Sequence, residues 1–255
     1  MKISEQRTIR LAMVFLFIAA GLLMNNVARA QEKQILSMTE FTVKIGHEKQ
    51  FEDGIKAWKV CYLENKGAWT WNMWKRLNGK GSVYGMTSQS PTWAKIGDEN
   101  DPADKKCMQI VMDKIIPHVE STEDNFATTI PDYSRTSNSE TGIVWVSYYR
   151  VENSSAFNEV VKAISDVQQK VEGDKRGYWY SANGGSPESA DYFVVTPYKN
   201  FAALDVKRDA IWDMMEKTMG KEESDKMRAK IRGSIKNSWR YLYKHMDDLS
   251  HNPVK

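Results

Sequence analysis

The chain repeats itself. Residues Phe41 to Phe51 are echoed by Ser147 to Phe157 at an offset of 106. Further on, Trp71 falls on Trp179, Tyr84 on Tyr192, Trp93 on Phe201 and Ile96 on Leu204, at an offset of 108. A self-similarity of this length means two copies of one supersecondary unit, each covering a face that the other cannot bury alone.

The periodicity inside each copy says what that unit is. Ile35, Phe41, Val43 and Ile45 share one parity, which predicts a strand over 34–45. Gly46 allows a sharp exit. Phe51, Ile55, Trp58 and Tyr62 then recur at helical spacing, predicting a helix over 48–65. Strands follow at 69–77 and 82–88 around the Asn78–Gly81 turn, then a helix over 103–116 ended by Pro117. The second copy runs in the same order: a strand over 142–151, a helix capped by Asn153, and strands at 178–180 and 192–196. It closes with helices over 201–219 and 222–248, the latter carrying Met227, Ile231, Ile235, Leu242 and Met246 on one stripe.

Each copy therefore reads β-α-β-β-α, a ferredoxin-like unit without its last strand. Its helices lie on one face of the sheet, so the other face must bury against something, and a second copy is the economical partner. The expected fold class is α+β: two ferredoxin-like repeats, 31–137 and 138–255, forming one pseudo-dimeric α/β barrel with helices outside. A ligand would fit between the sheets. The missing strand would leave edges able to pair with another chain, so monomer and homo-oligomer are both open.

Residues 1–30 stand apart. Lys2, Arg7 and Arg10 precede an apolar run from Leu11 to Leu23, and Ala28-Arg29-Ala30 is a small-residue cleavage site. This is the pattern of a bacterial secretory signal peptide, and the run is short for a membrane anchor. Cleavage would leave 225 residues with 32 basic and 32 acidic side chains, so the precursor's +3 falls to zero. The mature chain gives no reason to expect nucleic acid or, after cleavage, a membrane as partner. A periplasmic or secreted location permits a disulfide between Cys61 and Cys107; two buried free thiols are the alternative.

The segment Val43–Phe51, with Gly46 followed by charged residues and Phe51, resembles the strand-to-helix entry of the dimeric α+β barrel superfamily. That group includes antibiotic-biosynthesis monooxygenase-like, EthD-like and NIPSNAP-like domains and, as tandem fusions, the chlorite dismutase relatives. The resemblance extends by element order over 34–248; the second copy departs from the motif in having Glu152 where the first has Gly46. It implies a cavity between the sheets and, in some members, cofactor-independent oxygenation or haem.

Candidate chemistry is sparse. His47, His118, His245 and His251 make no metal-ligand spacing, so no metal is expected. His47, at a helix start, is either a cap or a pocket-edge acid/base. His251 falls in a polar tail expected to be disordered. A haem-binding chlorite dismutase relative would need an axial ligand from the second repeat, where only His245 and His251 are available, so no cofactor is assigned. Glu40 has the parity opposite to Phe41 and Val43: if those meet the helices, Glu40 faces the interior as a candidate base. The aromatics Trp69, Trp71, Trp145, Tyr149 and Trp179 either fill the barrel core or line a cavity for a small apolar or aromatic molecule. The function expected is exported small-molecule binding, with cofactor-independent monooxygenase-like chemistry as its catalytic form; a solidly packed, non-catalytic interaction protein is the alternative.

Overall fold

The computed structural model describes residues 33–98, 100–137 and 140–252; the signal-peptide reading of 1–30 lies outside the described residues. The first repeat contains β1 (Ile35–Val43), α1 (Glu48–Glu64), β2 (Asn72–Arg76), β3 (Ser82–Ser90), the short α2 (Trp93–Ile96), α3 (Pro102–Lys114) and β4 (Val119–Thr129). The second contains β5 (Ile143–Val151), α4 (Ser154–Glu172), β6 (Tyr178–Ala182), β7 (Tyr192–Tyr198), α5 (Ile211–Met219), α6 (Lys221–Ser234) and β8 (Ile235–His245). Each unit is thus β-α-β-β-α-β, with the fourth strand that the sequence reading omitted.

Those two strands close the molecule. The order is β1-β3-β2-β8-β5-β7-β6-β4, returning to β1, and every pairing is antiparallel. β8 bridges β2 to β5, and β4 bridges β6 to β1. The expected helix over 222–248 therefore ends at Ser234, and the open edges expected for pairing with another chain are absent among the described strands. The helix expected over 201–219 is a 3-10 turn at Phe201–Leu204 followed by α5. His251, expected in a disordered tail, instead bridges Trp71, each backbone N–H donating to the other's carbonyl.

Odd positions of β1 meet the helices. Phe51, Ile55, Trp58 and Tyr62 of α1 pack with Val43, Trp71, Met73 and Tyr84, and with Ala103 and Cys107 of α3. The Cys61–Cys107 disulfide joins α1 to α3. Asp101 caps α3 through the Ala103 N–H and accepts the Tyr62 hydroxyl. Among the described residues, no helix is long and apolar enough to cross a membrane.

The structural repeat also refines the sequence repeat. β1 and β5 match at an offset of 108, while α1 and α4 begin at 106, because the first copy's strand-to-helix loop is longer. Phe41 therefore matches Tyr149 rather than Ser147. Each packs on its helix phenylalanine alike: Phe41 on Phe51 with ring centroids 5.5 Å apart, Tyr149 on Phe157 at 5.4 Å.

Candidate functional site in the barrel interior

Strand alternation sends one parity of each strand into the barrel. Cross-strand register assembles these positions into two rows related by the internal repeat. In the first repeat, Glu40 faces Gly85 and Gly85 faces Trp74. In the second, Tyr148 faces Phe193 and Phe193 faces Tyr180. The row extends on one side from Glu40 to Glu123 and from Tyr148 to Trp239; on the other, Trp74 meets His245 and Tyr180 meets Thr129.

The second row is filled. Tyr180 stacks on Phe193 at 4.9 Å, Tyr148 lies 5.7 Å from Phe193, and Tyr148 stacks on Trp239 at 5.5 Å. The first row has Gly85 where the second has Phe193. Gly85 is buried, yet a Cβ there would meet nothing within 4 Å. Glycine 85 leaves space, and Glu40 and Trp74 border it through direct cross-strand pairing.

Glu40 is held inside, as its parity required once Phe41 and Val43 met the helices. Its carboxylate accepts the Tyr243 hydroxyl at 3.0 Å, and the Tyr148 hydroxyl lies 3.3 Å from that of Tyr243. Burial pushes the Glu40 pKa up; the Tyr243 hydrogen bond and the Arg76 charge work against this, and Glu123 reinforces it. Burial likewise pushes Tyr148 and Tyr243 up, and Tyr180 up to about 12. The Arg76 guanidinium lies 4.5 Å over the Tyr241 ring and donates to the Lys80 carbonyl. The site is therefore a buried carboxylate with a raised pKa, held by Tyr243, beside the space at Gly85 that Trp74 also borders.

At the other end of the row, His245 packs edge-on against Trp74 at 4.8 Å. Its Nδ1 lies 2.9 Å from Asp247 Oδ1, and its Nε2 lies 3.1 Å from both Asn72 Oδ1 and Ser250 Oγ. Ser250, His245 and Asp247 thus line up in the order of a hydrolytic triad. The Ser250 hydroxyl is spent, however, accepting the Met73 N–H at 2.8 Å and donating to the Met246 carbonyl at 2.9 Å. It fastens the chain end to β2.

The aromatics expected between the sheets lie elsewhere. Trp71 is 1% exposed against Trp58 of α1, with its indole N–H on the Leu249 carbonyl at 2.8 Å. Trp69 stacks on Trp71 and donates to Ser88 Oγ. Tyr149 and Trp179 pack on Phe157 of α4, and Trp145 shares their outward parity. These five belong to the helix-facing layer, because β2 presents Trp74, not Trp71 or Met73, to the interior. The interior aromatics from β8 (Trp239, Tyr241, Tyr243) were hidden by reading that segment as helix. Their signal was present: they alternate with Arg240, Leu242 and Lys244 at strand period. His47 sits outside the barrel, at the start of α1 beside His118. A polar cleft of about 570 Å³ at the β6–β7 turn, bordered by Arg150, Ser154, Asp191 and Lys236, contains none of the expected site residues.

No family model matches the chain, and no curated protein matches it. Solved structures do. A candidate monooxygenase from Lactobacillus acidophilus aligns at 10% identity over 87% of this chain and 97% of its own, with a TM-score of 0.53. Another, from Fusobacterium nucleatum, aligns at 12% identity over 87% and 95%, with a TM-score of 0.52. An anthrone oxidase-like protein aligns at 9% identity over 85% and 93%, with a TM-score of 0.50. The fold is the dimeric α+β barrel, built here from two halves of one chain. The residues present do not fit haem: the histidine in the barrel rows, His245, has both ring nitrogens engaged, and His251 lies against Trp71 in the outer layer.

Proposed function

We propose that the protein binds a small, flat aromatic molecule in the gap at Gly85, with Glu40 as the acid/base group that faces it. The observation that carries this reading is the broken symmetry of the two interior rows: Tyr148, Phe193 and Tyr180 fill one half, and Glu40, Gly85 and Trp74 leave the other open. A packed barrel needs no glycine at that position and no carboxylate beside it. The names of the similar structures favour an oxygen-dependent reaction of an activated aromatic carbon acid.

In that reaction Glu40 takes a proton from the activated carbon, and the electron-rich anion reacts with molecular oxygen. One oxygen atom ends as the product carbonyl; the other leaves as water with the two hydrogens of the substrate CH2, so no external reductant is consumed. Trp74 supplies a stacking wall, and Tyr243 stabilises the Glu40 carboxylate by its hydrogen bond. We further propose export to an oxidising compartment, a reading supported by the Cys61–Cys107 disulfide.

The test is tryptophan-fluorescence titration with anthrone and hydroxyanthraquinones, against wild type, Gly85→Phe and Glu40→Gln. Binding by wild type and its loss in Gly85→Phe are expected, with Glu40→Gln binding but not consuming oxygen. Equal binding by wild type and Gly85→Phe refutes the location. No binding of any compound by wild type favours the solidly packed barrel.

A further inference from the structure

The joint between the first strand and its helix is built differently in the two repeats. In the second, Asn153 stands at the helix start, its side chain accepts the Ala156 N–H, and the Glu152 N–H donates to the Ser234 carbonyl at 2.8 Å. In the first, the matching positions are His47 and His118, and the Lys44 N–H donates to the His118 carbonyl at 2.9 Å. The backbone joint is thus made in both repeats, and neutral Asn and Ser suffice for it.

His47 does not act as a cap: it makes no side-chain bond to the first turn of α1. A good N-cap is worth about 1 kcal/mol, which His47 forgoes. Its ring turns instead to His118, and the two Nδ1 atoms lie 2.9 Å apart across 71 residues of sequence. Both rings are partly exposed. Two Nδ1 atoms can share one proton as a hydrogen bond, or release it and direct both lone pairs to a metal ion.

The 2.9 Å separation is that of an N–H···N hydrogen bond, and metal–nitrogen bonds of about 2.05 Å put two ligands of one ion about 2.9–3.3 Å apart, so the pair can close on a metal with little movement. Copper(II) and nickel(II) take imidazole in tetragonal sites, and copper(II) stands above zinc in the affinity order of the divalent ions. We propose that His47 and His118 form a two-histidine site for copper(II) or nickel(II). Solvent completes the coordination, since among the described residues no group of three His, Cys, Asp or Glu is placed to hold a metal ion. Lys44, held on the Pro117 carbonyl at 2.7 Å, and Glu48, bound to Ser82, flank the pair with opposite charges.

The experiment titrates tag-free protein with copper(II) chloride in a non-coordinating buffer, read by calorimetry and electron paramagnetic resonance. Wild type is expected to bind one ion with an axial signal split by two nitrogens. His47→Asn and His118→Ser, which install the residues of the second repeat, are expected to weaken binding about tenfold or more. Should either variant misfold, copper broadening of histidine side-chain NMR signals in wild type gives the same answer: His47 and His118 must broaden before His245 and His251. Unchanged affinity in both variants, broadening led by His245 or His251, or zinc bound tighter than copper overturns the proposal.

Discussion

Filling the gap should make the protein more stable while abolishing its binding. A Cβ at Gly85 meets nothing within 4 Å, and the residue's backbone is not in the left-handed region. Gly85→Ala therefore gains chiefly by restricting the unfolded chain, about 0.5–1 kcal/mol. Gly85→Phe copies Phe193. Burying a phenylalanine is worth about 1.5–3 kcal/mol, less roughly 0.5–1 kcal/mol of side-chain entropy. With about 2–4 °C per kcal/mol for a chain of this size, the midpoint should rise about 1–4 °C for Ala and roughly 1–10 °C for Phe. Thermal melts by circular dichroism read this directly, with ligand titration on the same samples: Ala should still bind and Phe should not. Gly54→Ala is the control of opposite sign, because a Cβ there would lie 2.2 Å from the Lys114 carbonyl oxygen. Forcing α1 from α3 should cost about 1–3 kcal/mol or more. If Gly85→Ala lowers the midpoint, or Gly85→Phe destabilises by more than about 1 kcal/mol, the space is not a side-chain-sized gap and the argument from broken symmetry fails.

Glu40 has a raised pKa in the folded state, so its contribution to stability is full below the unfolded value of 4.5 and is lost as pH rises through the folded pKa. Glu40→Gln should match wild type in urea unfolding at about pH 4 and exceed it at about pH 8; no difference at the higher pH refutes the burial argument. Asp174 behaves oppositely. Burial works to raise its pKa, but bonds from Ser137, Thr136 and Lys175 outweigh it and bring the value to about 2. Its contribution, roughly 1 kcal/mol after solvent screening, is present above the unfolded value of 3.8 and is lost as pH falls towards 2; Asp174→Asn should flatten that acid limb. The Cys61–Cys107 bridge spans a sequence separation of 46, and replacing both cysteines by alanine should cost up to about 4 kcal/mol in urea melts. Trp71→Phe removes the indole donor to the buried Leu249 carbonyl and should cost about 1–3 kcal/mol.

The elements best read from sequence were those with one dominant period. α1 carries Phe51, Ile55, Trp58 and Tyr62 on one face, all buried, and its helical spacing is unmistakable. The two strands that close the barrel were missed for different reasons. Positions 120–124 of β4 are exposed, so β4 lacks a continuous apolar face. β8 follows directly on α6, and Met227, Ile231, Ile235, Leu242 and Met246 happen to continue a helical stripe through it. The parity of Glu40, opposite to Phe41 and Val43, was legible. That this parity faces the interior, and that Trp71 and Trp179 face the helices, was not, because parity alone does not say which face a strand turns to its helix.

The sequence by itself determined that two similar units share one interior, that helices cover one side of each sheet, and that Glu40 opposes Phe41 and Val43 in parity. Only the tertiary structure decided that Gly85 lies between Glu40 and Trp74, and Phe193 between Tyr148 and Tyr180. Side chains alternate with a period of 2, so sliding a strand by two residues preserves every face and changes every cross-strand neighbour. The repeat could therefore be aligned two residues out of register, as Phe41 was with Ser147, and still assign the correct faces. The gap is a property of neighbours, and neighbours are fixed when β4 and β8 close the barrel.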